Sequence, residues 1–350
     1  MRIEEIDANF RVKGQIPAGT ALYAPGQAGI DLYGVFRENG KYRRMPEQTA
    51  ASVSPAVYAL HANTAGGRLR FCTDSPWISL CAQLDQICKM PHFALTGSTG
   101  FDLYRRENGS FRYVGTFIPE FDIASELQAT IAVDTQGMQE YLIHFPLYTD
   151  VKSLFVGVRE GASMARAHRY LPIPPIVTYG SSITQGGCAA RPGSCYQNIL
   201  SRRLNVDHVN LGFSGSALGE QEMMDYIAGL SMSVFILDYD FNAPTGAHLL
   251  QTHQRACRTV RRSHPTLPIL LLSRPRYYLN AEDRERLAII EETYRKARAE
   301  GDQNIFLITG PELMQDCGQE GTVDGTHPTD LGFAAMARVI GDFLETLPLH

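Results

Sequence analysis

Five short apolar segments alternate with helical segments in the C-terminal half of the chain, and this rhythm constrains the fold more than any other feature. The strands are predicted at Ile176–Gly180, His208–Leu211, Val234–Asp238, Ile269–Ser273 and Ile305–Ile308. The helices are predicted at Tyr196–Leu204, Glu220–Leu230, Gly246–Arg262, Ala281–Glu300 and Asp330–Leu344. Apolar strands separated by helices are typical of a parallel sheet covered on both faces. The pattern predicts a three-layer α/β domain, with its ligand site at the carboxyl ends of the strands.

The first half of the chain has a different rhythm, with many short β-type runs separated by Gly, Pro, Asn and Asp. Examples are Ala21–Tyr23, Ala56–Leu60, Leu69–Cys72, Phe101–Arg105 and Glu140–Pro146. Short strands at close, fairly even spacing indicate an all-β sandwich or jelly roll. A pentapeptide, Gly-x-Asp-Leu-Tyr, occurs twice in this half, at 29–33 and at 100–104.

A proline-rich segment separates the two halves. Pro172, Pro174 and Pro175 keep residues 169–175 extended and prevent a helix there. A chain of 350 residues also suits about two domains. We therefore predict a β-sandwich domain at 1–168, a junction at 169–175 and an α/β domain at 176–350.

Charge and hydropathy limit the kinds of partner and the location expected for the protein. A formal net charge of −5 and the lack of a basic cluster argue against a nucleic-acid partner. No apolar run reaches the length of a membrane span. The stretch Met1 to Phe10 lacks a basic region followed by an apolar one, so no signal peptide is predicted and a cytoplasmic location is expected. A trimmed chain would look the same, so export stays open, as does assembly into a homo-oligomer.

The seven cysteines lack metal-site spacing, since none forms a CxxC pair or a zinc-finger pattern with histidine. Free thiols in a reducing compartment are the main interpretation. A disulfide between Cys188 and Cys195 stays open, because these residues flank the loop described next.

The first α/β strand leads into a glycine-rich loop, Gly180-Ser181-Ser182-Ile183-Thr184-Gln185-Gly186-Gly187. A nucleophilic serine needs exposure at a strand end and a backbone that turns sharply. The loop lacks the GxGxxG dinucleotide fingerprint and the lysine of a P-loop. Thr184 also stands where the second glycine of a GxSxG elbow belongs. A nucleophile loop and an ordinary loop both remain possible from this segment alone.

An Asp-x-x-His motif lies near the end of the chain, where Asp324 precedes His327 in a loop before the last helix. A carboxylate at this spacing can hydrogen-bond the imidazole, fix its tautomer and stabilise the imidazolium. The loops after the second and third strands carry Gly215 and Asn242, which can donate hydrogen bonds to an oxyanion. Asp238 and Asp240 in the third loop suggest a metal site or a carboxylate pair, with capping or turn formation as the alternative.

These four blocks, in this order, resemble the SGNH hydrolase superfamily, the GDSL esterases and lipases. Gly180-Ser181-Ser182-Ile183 stands at the family's Gly-Asp-Ser-Leu block. The resemblance implies a three-layer, flavodoxin-like fold for the C-terminal domain. It also implies that Ser182 is the nucleophile and that Asp324 and His327 complete the triad. It also implies an oxyanion hole of the Ser182 N–H, Gly215 and Asn242, with no metal and no organic cofactor.

The family pattern is not matched everywhere. Ser181 replaces the usual Asp, and Asp240-Phe241-Asn242-Ala243 replaces the commoner Gly-x-Asn-Asp. The first half, with its Gly-x-Asp-Leu-Tyr pentapeptide, resembles the β-sandwich domain that precedes the hydrolase in one bacterial subgroup.

The expected activity is hydrolysis of a short-chain ester, acetyl in the first place, on a carbohydrate. Small and polar residues in the site loops favour a short acyl group, and an attached β-sandwich suggests a saccharide. The alternatives are a lipase or thioesterase, and a non-catalytic carbohydrate-binding protein with a degenerate hydrolase domain. Trp77 and Tyr104 either stack on sugars or pack in the interior, and Arg191 and Arg274 lie either near the site or on the surface.

Overall fold

The computed structural model describes residues 3–7, 15–134 and 137–348. The outer ends of both predicted domain ranges, and half of the stretch Met1 to Phe10, lie outside these residues. None of the described helices is long and apolar enough to cross a membrane.

The first half of the chain forms two antiparallel sheets, which confirms the predicted β-sandwich. Its strands are β1 (Thr20–Tyr23), β2 (Asp31–Tyr33), β3 (Phe36–Glu38), β4 (Lys41–Arg43), β5 (Arg68–Thr73), β6 (Trp77–Asp85), β7 (Phe101–Glu107), β8 (Ser110–Phe117), β9 (Glu126–Ala132), β10 (Gln139–His144), β11 (Asp150–Arg159) and β12 (Met164–Ala165). One sheet has the order β1-β11-β6-β9. The other has the order β12-β5-β10-β7-β8, with β2 also paired to β5, while β3 and β4 form a separate hairpin.

The two-residue alternation of side chains gives the second sheet two different faces. Leu69 and Phe71 on β5 and Leu103 on β7 are fully buried in the core between the two sheets. Arg68 and Arg70 alternate with them on β5 and are also fully buried. Because successive side chains point to opposite faces, the two arginines lie on the outer face, which must therefore be covered.

Helices α1 (Ile3–Ile6), α2 (Glu47–Val53), α3 (Pro55–Leu60) and α4 (Leu95–Ser98) also belong to this half. The strand predicted at Ala56–Leu60 is wrong, because these residues form α3. The Ser54 hydroxyl accepts a hydrogen bond from the Val57 N–H at 3.1 Å, and Pro55 occupies the first turn, where it favours a helix. Val57 is buried in a core cluster of the C-terminal half, so tertiary packing stabilises this short helix.

The C-terminal half contains the predicted five-stranded parallel sheet. Its strands are β13 (Ile176–Gly180), β14 (His208–Gly212), β15 (Val234–Asp238), β16 (Ile269–Leu272) and β17 (Ile305–Ile308). Its helices are α5 (Ser182–Gln185), α6 (Tyr196–Leu204), α7 (Gln221–Ala228), α8 (Gly246–Ser263), α9 (Ala281–Ala299), α10 (Gly310–Leu313) and α11 (Asp330–Leu344).

The strand order β14-β13-β15-β16-β17 places three of the candidate loops side by side. In the register of the sheet, Gly180 at the end of β13 lies opposite Gly212 on β14 and opposite Asp238 on β15. The loops that carry Ser182, Gly215 and Asn242 therefore leave the same edge of the sheet next to one another.

The outer face of the second antiparallel sheet packs against the C-terminal half. Arg68 donates to the His208 carbonyl at 2.9 Å and also pairs with Asp207. Arg70 donates to the Asn205 side chain at 3.1 Å. Both arginines thus reach the loop between α6 and β14, and the two halves share a buried polar interface.

Asp102 of the second pentapeptide joins groups from both halves in this interface. It is fully buried and accepts hydrogen bonds from His144 Nδ1 at 2.8 Å, from the Gly193 N–H at 2.8 Å and from Arg191 Nη1 at 3.3 Å. Burial alone would raise the pKa of Asp102, but the hydrogen bond from His144 and the charges of Arg191 and Arg202 outweigh it and lower that pKa. Burial lowers the pKa of His144 to about 4, so the pair is an ionised carboxylate and a neutral imidazole.

The first pentapeptide makes no comparable contact. Asp31, the equivalent of Asp102, is partly exposed, and the Nε of Arg166 lies 3.8 Å from its carboxylate. Two identical sequence patterns therefore have different roles, because Asp102 hydrogen-bonds residues of the C-terminal half, whereas Asp31 lies near Arg166 of its own half.

Replacing Asp102 with alanine is expected to destabilise the protein by about 3–5 kcal/mol, because the change leaves buried donors and cations without their acceptor. Asp31→Ala is the matched control and should cost less than about 1 kcal/mol. The measurement is urea denaturation followed by circular dichroism and by the fluorescence of Trp77, the one tryptophan of the chain. Equal midpoints for the two variants would contradict the role assigned to Asp102.

Candidate active site

The turn after β13 depends on two glycines that allow close packing. A Cβ on Gly180 would lie 2.2 Å from the Asp238 carbonyl oxygen, and a Cβ on Gly212 would lie 2.2 Å from the backbone nitrogen of Gln185. Neither position can hold a larger residue without a backbone shift. Ser181 caps the short helix α5 by accepting from the Ile183 N–H at 3.2 Å. Ser182 therefore occupies the first helical position directly beyond the strand end.

Ser182, His327 and Asp324 form one continuous hydrogen-bonded chain. Ser182 Oγ lies 2.9 Å from His327 Nε2, and His327 Nδ1 lies 2.7 Å from Asp324 Oδ2. The other oxygen of Asp324 accepts from the N–H groups of Thr326 at 2.9 Å and His327 at 2.8 Å. Burial by itself would raise the pKa of Asp324, but these hydrogen bonds lower it to about 2. An ionised Asp324 can thus orient the imidazole towards the hydroxyl.

The two other loops lie beside this chain. Asn242 ends a short 3-10 helix after β15 and donates through Nδ2 to the Phe213 carbonyl at 2.8 Å. Gly215 lies in the loop after β14, two residues beyond Phe213. It is exposed and has a φ of 65°, which favours glycine. Among the described residues, the N–H groups of Gly215 and Ser182 have no hydrogen-bond acceptor. Both remain available to a ligand.

Asp238 and Asp240 belong to separate networks. Asp238 Oδ2 accepts from the Thr184 hydroxyl at 2.8 Å and the Tyr196 hydroxyl at 3.1 Å, and burial raises the pKa of this acid to about 7. Asp240 pairs with Arg286 Nε at 2.8 Å. Their carboxylates therefore hold neighbouring elements in place, and within the described part of the chain neither belongs to a group able to bind a metal.

Residues of the first half also reach the site, and the sequence did not single them out. The Tyr148 hydroxyl donates to the Ser182 carbonyl at 3.2 Å, and Gln185 Nε2 donates to the Asn63 side chain at 3.0 Å. The ring centroid of His92 lies 5.9 Å from that of His327. No local pattern marks these residues, because only the packing of the two halves brings them to the nucleophile.

Several other candidates lie elsewhere. Arg191 contacts Asp102 and Tyr104 in the interface, and Arg274 pairs with Asp283 at 3.1 Å. Tyr104 is only 4% exposed, so it packs in the interior and does not present a face to a sugar. The Trp77 indole is partly buried and donates to the Thr20 hydroxyl at 3.1 Å. All seven cysteines are free, including Cys188 and Cys195.

Two family models match the chain. Residues 174–345 match the GDSL-like Lipase/Acylhydrolase family, and residues 22–164 match the GxDLY domain, described as the N-terminus of SGNH hydrolase-type esterases. The protein is thus a carboxylic ester hydrolase of the SGNH type. It belongs to the GDSL-like acylhydrolases through its C-terminal half, with a GxDLY domain before it. No curated protein matches the chain in sequence.

Solved structures share both halves. A Bacteroides ovatus protein described as a GDSL-like lipase is 28% identical, with a TM-score of 0.83 over 93% of this chain and 97% of its own. The salicylyl-acyltransferase SsfX3 of a tetracycline biosynthetic pathway is 20% identical, with a TM-score of 0.76 over 96% of this chain and 100% of its own. An acetyl xylan esterase of the rumen bacterium Butyrivibrio proteoclasticus is 13% identical, with a TM-score of 0.59 over 94% and 98%.

The buried carboxyl of Asp238 is expected to make stability depend on pH. Its pKa is about 7 in the folded protein, above the ordinary value of 3.8, so the folded state holds a proton that the unfolded state releases between these values. Stability therefore falls as pH rises through this window. Asparagine cannot release this proton. The free energy of unfolding of Asp238→Asn, relative to that of wild type, should therefore rise by roughly 2–3 kcal/mol from pH 5 to pH 8.

The measurement is urea denaturation of both proteins at the two pH values. Asp225→Asn, at an exposed position on α7, is the control and should show no such change. If the difference in the free energy of unfolding between Asp238→Asn and wild type is the same at both pH values, Asp238 does not titrate in this range.

Proposed function

We propose that the protein is a serine esterase that hydrolyses a short-chain ester, acetyl in the first place, on a carbohydrate through an acyl-enzyme intermediate. The observation that carries the proposal is the hydrogen-bonded chain from Ser182 Oγ to His327 and Asp324. This chain supplies a nucleophile, a base that can take its proton and a carboxylate that orients the base.

In the first step, Ser182 Oγ attacks the ester carbonyl carbon and its proton moves to His327 Nε2. The carbonyl oxygen becomes an oxyanion that accepts hydrogen bonds from the Ser182 N–H, the Gly215 N–H and Asn242 Nδ2. Asp324 stays ionised and stabilises the imidazolium through Nδ1. The intermediate then collapses, the bond to the alcohol oxygen breaks, and His327 returns the proton to that oxygen.

In the second step, water attacks the acyl-enzyme and gives one proton to His327 Nε2. The second tetrahedral intermediate releases the carboxylic acid, and the proton on His327 returns to Ser182 Oγ. Each step uses the same three donors and the same base, so the residues described above are sufficient for a complete turnover.

The choice of an acetylated saccharide is supported by the confined site and by the attached sandwich. Ser182 is only 9% exposed, and the Tyr148 hydroxyl contacts its backbone carbonyl, which favours a small acyl group. The acetyl xylan esterase with the same two-part fold is consistent with this substrate class. At 13% identity that likeness concerns the fold, so the substrate depends on the experiment below.

One observation favours a second candidate, an ester with a larger apolar acyl or aryl group. A cavity of about 440 Å³ adjoins the loop that carries His92. Its lining residues are Lys89, Met90, Pro91, Phe93, Leu95 and Phe121. Apolar pockets of this volume suit substrates larger than acetyl, so a lipase-like or thioesterase-like activity is the alternative.

The test of the proposed function compares wild type with Ser182→Ala on acetylated saccharides and on p-nitrophenyl esters of increasing chain length. We expect acetate release by wild type and a loss of roughly 10⁶-fold in kcat for the variant. Activity restricted to longer esters would favour the second candidate. Equal activity of both proteins would remove Ser182 from the mechanism, and absence of any activity would favour a carbohydrate-binding protein with a degenerate hydrolase domain.

Asn242→Ala is expected to lower kcat by about 10²–10³-fold with a small change in KM, because the lost donor acts on the oxyanion that forms in the transition state. Asn39→Ala is the matched control, since that amide donates to Glu47 on the surface, and its kcat should equal that of wild type. The thermal midpoint of each variant reports whether the fold is intact. A folded Asn242→Ala enzyme with unchanged kcat would exclude the side chain from the oxyanion hole.

A further inference from the structure

Three potential metal ligands from distant parts of the chain meet beside the nucleophile. His92, Cys188 and His327 each offer a ligand atom, and these atoms all lie within 4.8 Å of one another. His92 comes from the β-sandwich half, whereas Cys188 and His327 come from two loops of the α/β half. Neither the family resemblance nor the proposed reaction gives His92 or Cys188 a role.

Local backbone geometry presents both of these side chains to the site. His92 lies in a tight turn in which the Phe93 N–H donates to the Met90 carbonyl at 3.2 Å, and its side chain is 40% exposed. Cys188 has a left-handed φ of 73°, which is uncommon outside glycine. A Cβ on the preceding Gly187 would lie 3.5 Å from His327 Cδ2, so this backbone passes the Nε2 edge of the imidazole.

The chemistry of the three ligands selects the metal. Imidazole nitrogen and thiolate sulfur are the preferred ligands of Zn²⁺, and a site with three protein ligands leaves one position for water. Bonds of about 2.0–2.3 Å to a common ion require closer ligand atoms than the present spacing. The exposed His92 side chain provides this adjustment, because it is the least constrained of the three.

His327 is already oriented as a metal ligand. Both ring nitrogens are hydrogen-bonded, Nδ1 to Asp324 and Nε2 to Ser182. The bond to a neutral hydroxyl is weaker than the bond to an ionised carboxylate, so a metal displaces Ser182 rather than Asp324. The remaining contact between Asp324 and Nδ1 then forms the carboxylate–histidine–metal arrangement that is common around protein-bound zinc.

We propose that His92, Cys188 and His327 form an inhibitory binding site for Zn²⁺ that joins the two halves of the protein across the active site. The bound ion occupies the nitrogen that must accept the serine proton and covers the nucleophile. Cys188 binds as a thiolate and releases its proton on binding. The inhibition, but not the binding, rests on the proposed function of Ser182 and His327.

Binding is tested with Co²⁺ as a spectroscopic probe on chelator-treated Ser182→Ala protein, which needs no activity. We expect one equivalent of Co²⁺ to give tetrahedral d–d bands and a thiolate charge-transfer band. Adding Cys188→Ser should abolish the charge-transfer band, and adding His92→Ala should weaken binding roughly tenfold or more. Cys88→Ser and His168→Ala are the controls. Absence of binding, or the same spectrum with Cys188→Ser, would overturn the proposal.

Inhibition is tested by adding Zn²⁺ to the esterase assay, with each variant compared with its own metal-free rate. The Zn²⁺ concentration for half-inhibition should rise roughly tenfold or more in His92→Ala and in Cys188→Ser, but not in the controls. An active enzyme that Zn²⁺ does not inhibit, or inhibits equally in all variants, would refute the site. Loss of the proposed function alone would leave Co²⁺ binding to Ser182→Ala intact.

Discussion

The buried hydrogen bonds of Asp102 are the interaction on which the arrangement of the two halves depends. This carboxylate lies on the outer face of an antiparallel sheet and contacts the Gly193 N–H and Arg191, which follow the nucleophile loop in sequence. Removing one partner of a buried ion pair strongly destabilises a protein, because the other charge stays buried without a partner. In the observed docking of the sandwich, Asp102 contacts His144, Arg191 and the Gly193 N–H together, and residues of the first half reach the active site.

The active site is therefore composite. The α/β half supplies the hydrogen-bonded chain of Ser182, His327 and Asp324, and the sandwich half supplies Tyr148 against the nucleophile's carbonyl and His92 beside the catalytic imidazole. The sandwich is more than an attached module, because part of the site's wall is missing without it. Solved structures similar to this chain also cover both halves along almost their full length.

Inside the α/β half, residues near the site also hold its loops in position. Gly180 and Gly212 allow the neighbouring loops to approach one another. Asp238, at the end of β15, accepts hydrogen bonds from Thr184 of α5 and Tyr196 of α6 and so links the three elements. The two acids after β15 looked like possible metal ligands from their spacing, yet the fold uses both for support. The three residues proposed here to bind Zn²⁺ have no spacing pattern at all, since they meet only through tertiary packing.

The sequence by itself determined the features that depend on neighbours along the chain. Hydrophobic periodicity is local, so it indicated the five strands of the parallel sheet and the sandwich before it, and the three-residue spacing of Asp324 and His327 predicted their hydrogen bond. It failed at Ala56–Leu60, where a cap and burial against the other half produce a helix. Only the tertiary structure decided which pentapeptide is buried, and that Tyr148 and His92 lie beside Ser182 and His327. These contacts join residues far apart in sequence, and their energies depend on complementary surfaces that no local pattern contains.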